Sequence, residues 1–129
     1  MSTPPPIPGS FAWVDLTAPD ADGLREFYES VVGWTTEPVD MGDYADHVLQ
    51  DAHGNAVGGI CNAKGQNSEM PAVWMTYVIV VDLDESCAQA RARGGEIAGD
   101  VRDMGSYGRM AIVRDPAGAH LALMQPPAE

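Results

Sequence analysis

The sequence has few basic residues and no long apolar run, and each shortage argues against a class of protein. Its 129 residues include 7 Lys and Arg against 19 Asp and Glu, which gives a formal net charge of −12. Such a field repels a phosphate backbone, so we expect no nucleic-acid partner. No segment approaches the roughly 18 consecutive apolar residues that a membrane-spanning helix needs. We therefore expect no membrane partner either.

Cysteine is also scarce, and the N-terminus lacks the features of a signal peptide. The two cysteines, Cys61 and Cys87, form no CxxC pair, and we predict two free thiols in a reducing compartment rather than a bridge. Residues 1–8 have no basic segment followed by an apolar one. Four prolines there predict an extended arm instead. The predicted localisation is cytoplasmic.

The first half of the chain reads as a strand, a helix and further strands. Residues 11–16 mix aromatic and branched side chains and predict a strand. Apolar residues then recur at helical spacing, which predicts an amphipathic helix with Asp20 as its N-cap and Gly33 just past its end. Two more strands, at 44–50 and 55–60, flank a turn.

The second half repeats this order. Residues 73–81 form the most strand-like segment of the chain, and a helical pattern follows from Asp82 to Gly94. Two strands, at 110–114 and 119–124, flank another turn with an Asp first and a Gly fourth.

Two landmarks support an internal duplication. Asp20 and Asp82 are 62 residues apart, and the turn residues Asp51 and Asp115 are 64 apart. Offsets that agree so closely indicate two copies of one unit. The predicted organisation is an arm at 1–8, a first module at 9–61, a linker at 62–71 and a second module at 72–129.

This ordered set of features resembles the glyoxalase / bleomycin-resistance / ring-cleaving dioxygenase superfamily, also called vicinal oxygen chelate. The resemblance covers about residues 9–125 and rests on these segments: Pro19-Asp20, Phe27-Tyr28, Gly33-Trp34, 81–84, Gly94-Gly95 and 108–118. It implies an α+β fold in which two βαβββ modules form a curved mixed sheet with a U-shaped cavity. Many members of that family hold a divalent metal at the base of the cavity.

The resemblance also locates the metal ligands of the metal-dependent members, one on the first and one on the last strand of each module. Carried onto this sequence, those positions are Trp13, Gly58, Met75 and Ala122. None offers an oxygen or imidazole ligand, and a thioether is too soft for Mg, Mn or Fe. We therefore predict no metal and no cofactor.

Side chains of the same parity as these positions are expected to line the cavity. If each Asp-x-x-Gly turn is a four-residue hairpin loop, His47 lies opposite Gly58 and Arg109 opposite Met124, so both join the set. The predicted ligand-binding residues are Trp13, Asp15, His47, Gly58, Met75, Tyr77, Arg109, His120, Ala122 and Met124.

Several of these residues also have simple structural interpretations. Trp13 and Tyr77 are equally well explained as core residues, and buried histidines such as His47 and His120 commonly make structural hydrogen bonds. Arg109 is equally suited to an ion pair with a surface carboxylate.

Three functions remain open at this level. The first is a metal-free protein that binds a small aromatic or cationic molecule. The second is a metal-independent enzyme of lyase, isomerase or cyclase type that uses His47, His120, Asp15 or Tyr77 for proton transfer. The third is a metal-dependent lyase or dioxygenase with relocated ligands. The sequence does not decide whether the protein is an enzyme, and we predict a homodimer that binds a small molecule.

Overall fold

A computed structural model describes residues 6–128, and the chain divides into two compact units. One unit comprises Trp13–Trp74, and the other comprises Met75–Glu129 with the N-terminal segment up to Ala12. Of the predicted arm at 1–8, residues 1–5 lie outside the described residues. We call the two units the N-terminal and C-terminal modules, and each strand is assigned to the module that contains most of its residues.

The N-terminal module has one helix and four strands in the order βαβββ. Its sheet runs β2-β3-β4-β1, in which β1 and β4 are parallel and the other neighbours antiparallel. The elements are β1 (Phe11–Ala18), α1 (Ala21–Val32), β2 (Thr35–Asp40), β3 (Ala45–Gln50) and β4 (Ala56–Asn62).

The capping predicted for α1 is confirmed. The Asp20 carboxylate accepts a hydrogen bond from the Gly23 amide at 3.0 Å, which satisfies one of the free N–H groups at the helix start. Gly33 has φ +87 and its amide donates to the Glu29 carbonyl, the left-handed C-terminal cap that glycine favours. The helix covers a core of Ala21, Leu49 and Ile60.

The C-terminal module repeats the βαβββ order, as predicted. Its sheet runs β5-β8-β7-β6, with β5 and β8 parallel. Leu83 and Cys87 of the helix pack on Ala111 and Leu123 of the sheet. The elements are β5 (Trp74–Ile79), α2 (Leu83–Ala92), β6 (Glu96–Asp103), β7 (Arg109–Arg114) and β8 (His120–Gln125).

The two hairpin loops contain five residues, so the predicted four-residue loops are wrong. The amide of Asp51 donates to the carbonyl of Asn55, and that of Asp115 donates to the carbonyl of Ala119. Each Asp carboxylate also accepts from the amides two and four residues further along. Hydrogen bonds from the Asn55 amide, which has the largest effect, and from the His53 amide hold the pKa of Asp51 below its ordinary value. These hydrogen bonds keep Asn55 and Ala119 in the loops, so the pairing between the two strands of each hairpin shifts by one residue from the predicted one.

The helices are short. The longer one, α1, has 12 residues, and none within residues 6–128 has the length and apolar character that a membrane crossing requires.

Candidate functional site

Each sheet has one face covered by its helix and one face turned away from it, which we call the helix-free face. In the N-terminal module, Leu49 lies in the core under α1. Leu49 pairs with Gly58 across β3 and β4, and a Cβ on Gly58 would lie 3.7 Å from a methyl carbon of Leu49. Gly58 is therefore on the α1 side. Its predicted place in the cavity is wrong.

A β-bulge in β3 and β4 accounts for this change. Gln50 pairs with Ala56, whereas Leu49 pairs with Gly58, so one extra residue lies on β4. A bulged strand shifts every later side chain to the other face. Gly59 consequently takes the place predicted for Gly58.

The same register places His47 under α1 rather than on the helix-free face. His47 pairs with Ile60, not with Gly58 as predicted. Its Nε2 lies 2.8 Å from the Asp22 carboxylate in the first turn of α1. The other ring nitrogen, Nδ1, is buried and has no hydrogen-bond partner in the described part of the chain. His47 thus connects helix and sheet.

We expect His47→Ala to lower the free energy of unfolding by about 2 kcal/mol, because it leaves a cavity where a side chain is only 7% exposed. Asp22→Ala should cost less than about 1 kcal/mol, since that carboxylate is 77% exposed. Urea denaturation of both variants measures the difference. Equal losses would show that the contact with the Asp22 carboxylate, and not the packing of the ring, accounts for the stability.

The helix-free face of the N-terminal module combines an indole, a carboxylate and a thiol. Asp15 pairs with Gly59, and Thr17 with Cys61. A Cβ on Gly59 would contact both the Trp13 ring and the Asp15 Cβ at 3.6 Å, so these groups share one face. Asp15 is 9% exposed. Trp13 and Asp15 are therefore placed as parity predicted.

Cys61 and Cys87 are both free thiols. Burial, followed by the nearby charges of Asp15 and Asp46, raises the pKa of the Cys61 thiol to about 12. The folded thiol keeps its proton above pH 9.0, where the unfolded thiol loses it. Its contribution to stability is therefore present below pH 9 and falls as the pH rises from 9 toward 12. A low-pKa nucleophile is not available at this position.

At pH 8, iodoacetamide should alkylate Cys61 about 1,000-fold more slowly than an unperturbed thiol, because so little thiolate is present. Peptide mapping by mass spectrometry at timed intervals measures the rate, with protein in guanidinium chloride as the control. Rapid modification of Cys61 in the native protein would contradict the raised pKa.

The helix-free face of the C-terminal module is apolar and rich in methionine. Tyr77 pairs with Ala122 and Ile79 with Met124, so Met75 and His120 share this face by the alternation of side chains along a strand. Five of the predicted residues lie together here: Met75, Tyr77, His120, Ala122 and Met124.

Sequence reasoning missed two members of this face, Ile112 and Met110. Ile112 pairs with Ala122 and is 3% exposed, and Met110 pairs with Met124 and is 1% exposed. Met110 adds a third thioether to those of Met75 and Met124. The one-residue error in the hairpin loop concealed both residues.

Arg109 lies on the α2 side. It pairs with Gln125 rather than with Met124, so the predicted position is wrong for the reason given above. Its guanidinium donates to the Asp84 carboxylate of α2 at 3.0 and 3.4 Å, and this contact lowers the pKa of Asp84. The ion-pair interpretation of Arg109 is the one that the structure supports.

The residues at the four ligand positions of the family do not fit a metal ion. With the bulge included, they are Trp13, Gly59, Met75 and Ala122. Two have no donor atom, one has only an N–H donor, and one has a soft thioether. Within residues 6–128, no three or more His, Cys, Asp and Glu side chains are grouped so as to hold an ion.

Comparison with known proteins gives consistent results. Residues 10–123 match the model of the Glyoxalase/Bleomycin resistance protein/Dioxygenase superfamily. CFP32 of Mycobacterium tuberculosis, named provisionally as a glyoxylase, is 33% identical over 120 residues, which cover 91% of this chain and 46% of that protein. The anthracycline biosynthesis protein DnrV of Streptomyces peucetius is 30% identical over 128 residues, which cover 90% of this chain and 46% of that protein. This chain spans less than half the length of these relatives.

Solved structures agree on the fold. Methylmalonyl-CoA epimerase from Mycobacterium tuberculosis matches with a TM-score of 0.56 at 18% identity, over 93% of this chain and 89% of that one. At this identity the likeness concerns the fold alone. Two βαβββ modules and a family match that extends from β1 to β8 lead to one conclusion: this chain belongs to the Glyoxalase/Bleomycin resistance protein/Dioxygenase superfamily.

Proposed function

We propose that the protein binds a small aromatic or cationic molecule on the helix-free faces of its sheets, without a metal ion. One observation carries the proposal. The positions that hold ligands in the metal-dependent relatives are occupied here by Trp13, Gly59, Met75 and Ala122, none of which binds a hard cation. Trp13 and Met75 instead offer aromatic and thioether surface, and Gly59 and Ala122 occupy little space.

The C-terminal face supplies apolar, polarisable groups. Met75 and Met110 are each 1% exposed, and Tyr77 is 6% exposed. Thioethers make favourable contacts with aromatic rings and adapt to irregular shapes. Ala122 has only a methyl group, beside the phenol of Tyr77. These properties support a flat aromatic ligand.

The N-terminal face supplies groups that attract a cation. An indole ring attracts a positive charge through its face, by about 0.5–2 kcal/mol. Asp15 shares that face with Trp13, and the net charge of −12 favours the approach of a cation. A ligand with an aromatic body and an amino group would meet an indole and a carboxylate on this one face.

An anthracycline provides a suitable pair of probes, because one relative is named for anthracycline biosynthesis. The glycoside with a protonated amino sugar should bind about tenfold more tightly than its neutral aglycone, a difference of about 1.4 kcal/mol. Asp15→Asn should remove this preference. Fluorescence titration measures both affinities.

Asp43→Asn is the matched control, since it makes the same change in charge at an exposed residue between β2 and β3. It should leave the preference intact. Equal affinities of glycoside and aglycone for the unmodified protein, or an equal effect of the two substitutions, would contradict the proposal.

A second candidate function is metal-independent proton transfer. The observation that favours it is the placement of Tyr77 and His120 on one face, two residues apart in register. His47 is excluded from this role by its position under α1. With a substrate identified by turnover assays, His120→Ala should abolish the reaction, and unchanged turnover would remove this candidate.

The cytoplasmic location and the homodimer also belong to the proposal. Light scattering of the purified protein tests the second of these directly, because a dimer doubles the mass of 13.7 kDa. A monomeric mass at micromolar concentration would exclude it.

A further inference from the structure

The C-terminal module contains a groove that is separate from the proposed site, on the α2 side of its sheet. The groove has a volume of about 290 Å³ and lies between α2 and the β7–β8 hairpin. Its floor is formed by Val113, Leu121 and Leu123, and Ser86 and Ala90 form the helical wall. A volume near 300 Å³ is at the small end of ligand pockets.

The N-terminal module is filled at the equivalent place. The N-caps Asp20 and Asp82 are 62 residues apart, and the same offset matches Ser86 and Ala90 with Leu24 and Tyr28.

In the N-terminal module, the larger side chains at those positions pack on the core. The Tyr28 ring lies 5.2 Å from that of Trp74 and 6.0 Å from that of Trp34, measured between ring centroids. Where the N-terminal module has the phenol ring of Tyr28, the C-terminal module has only the methyl group of Ala90 and open space.

The rim of the groove carries a guanidinium group that has no acidic partner among residues 6–128. Arg93 donates to the Gln89 side chain at 3.3 Å, and no carboxylate of the described residues forms an ion pair with it. Asp115 also lies on the rim, but its Oδ1 accepts from two amides of its own loop. Although the net charge of −12 opposes the approach of an anion, this guanidinium is locally complementary to a carboxylate.

We propose that this groove binds a small molecule with one aromatic ring and a carboxylate. The ring occupies the space that Tyr28 fills in the other module, against Leu121 and Leu123. The carboxylate pairs with Arg93, whose planar guanidinium suits a two-oxygen acceptor. The site differs in position and in charge preference from the one proposed above.

The experiment is an amide NMR titration of the whole chain with 4-hydroxyphenylacetate and with 4-hydroxyphenethyl alcohol, which lacks the carboxylate. We expect saturable shifts at Ser86, Ala90, Arg93 and Leu121 for the acid and at least tenfold weaker binding for the alcohol. Absent shifts at 10 mM acid, or shifts confined to the helix-free faces, would overturn the proposal.

Arg93→Gln should weaken binding of the acid at least tenfold. Arg91→Gln is the matched control, because Arg91 is exposed in the last turn of α2, two residues before the C-cap Arg93, and does not line the groove. Its affinity should equal that of the unmodified protein. Equal losses in both variants would show a general effect of charge and would contradict a specific site.

Ala90→Tyr tests the space directly, since it places in α2 the side chain that α1 carries at the equivalent position. It should abolish binding of the acid and leave anthracycline binding unchanged. Unchanged affinity for the acid would contradict the proposed position of the ring. If this variant does not fold, the two arginine variants decide the question.

Discussion

Gly108→Ala is expected to lower the free energy of unfolding by more than about 3 kcal/mol. Gly108 has φ +101 and precedes β7, where its carbonyl accepts from the Met104 amide. A Cβ there would overlap the Gln125 carbonyl and would lie 2.9 Å from the Pro126 Cα. The atoms that this Cβ would meet belong to the backbone, which cannot move aside by changing a rotamer as a side chain can. Urea denaturation measures the loss.

Gly105→Ala is the control, in the same connection between β6 and β7. Gly105 also has a positive φ, of +62, but a Cβ there would meet no atom within 4 Å. We expect a loss of about 1–2 kcal/mol from the backbone conformation alone. Equal losses in the two variants would mean that the approach of Gly108 to Gln125 and Pro126 is not tight.

Ala122→Glu is expected to have the second largest effect, about 3–5 kcal/mol at pH 7. Ala122 is 0% exposed. A carboxylate placed there loses hydration, so its pKa rises above the ordinary value. Since the folded protein then binds the proton more tightly than the unfolded chain, the loss of stability should diminish as the pH falls.

Ala122→Gln separates charge from size. Both substitutions add volume at a residue that is 0% exposed, which costs about 1–3 kcal/mol, but only the loss caused by Glu should depend on pH between 5 and 8. Neither variant should be stabilised by Mn²⁺, Zn²⁺ or Ni²⁺, because Trp13, Gly59 and Met75 supply no further hard ligand. A metal-dependent rise in Tm for the Glu variant alone would reveal ligands that the structure does not show.

The fold could be predicted from the sequence because its signals are local. Asp20 and Gly33 delimit α1 through their own backbone and side-chain chemistry, and the offset of 62 residues to Asp82 reveals the duplication. Parity along β5 and β8 also placed Tyr77 and Ala122 correctly on one face. Alternation of side chains requires only that a segment is a strand.

The register of the hairpins could not be predicted in the same way. It depends on whether the residue after Gly54 or Gly118 stays in the loop, which the hydrogen bonds of the Asp51 and Asp115 carboxylates decide. A single residue then moved Arg109 to the other face. In the N-terminal module a bulge added a second shift that affected His47. The Gly58-Gly59 pair was the available signal, because glycine within a strand often marks a bulge.

The sequence also contains a signal for the groove on the α2 side. When the two halves of the sequence are aligned on their N-caps, Tyr28 matches Ala90 and Leu24 matches Ser86. A difference of that size between equivalent helix positions predicts a cavity in one copy. Duplicated modules therefore offer an internal reference that a single copy does not.

The central claim is that ligand binding on the helix-free faces needs no metal ion. The most direct test is a fluorescence titration with the amino-sugar anthracycline on protein treated with EDTA and dialysed, compared with protein supplied with Mg²⁺, Mn²⁺, Fe²⁺ or Zn²⁺. We expect saturable binding with the same Kd in every sample, and an affinity at least tenfold lower in Trp13→Ala. Binding that appears only when one of these ions is added would contradict it.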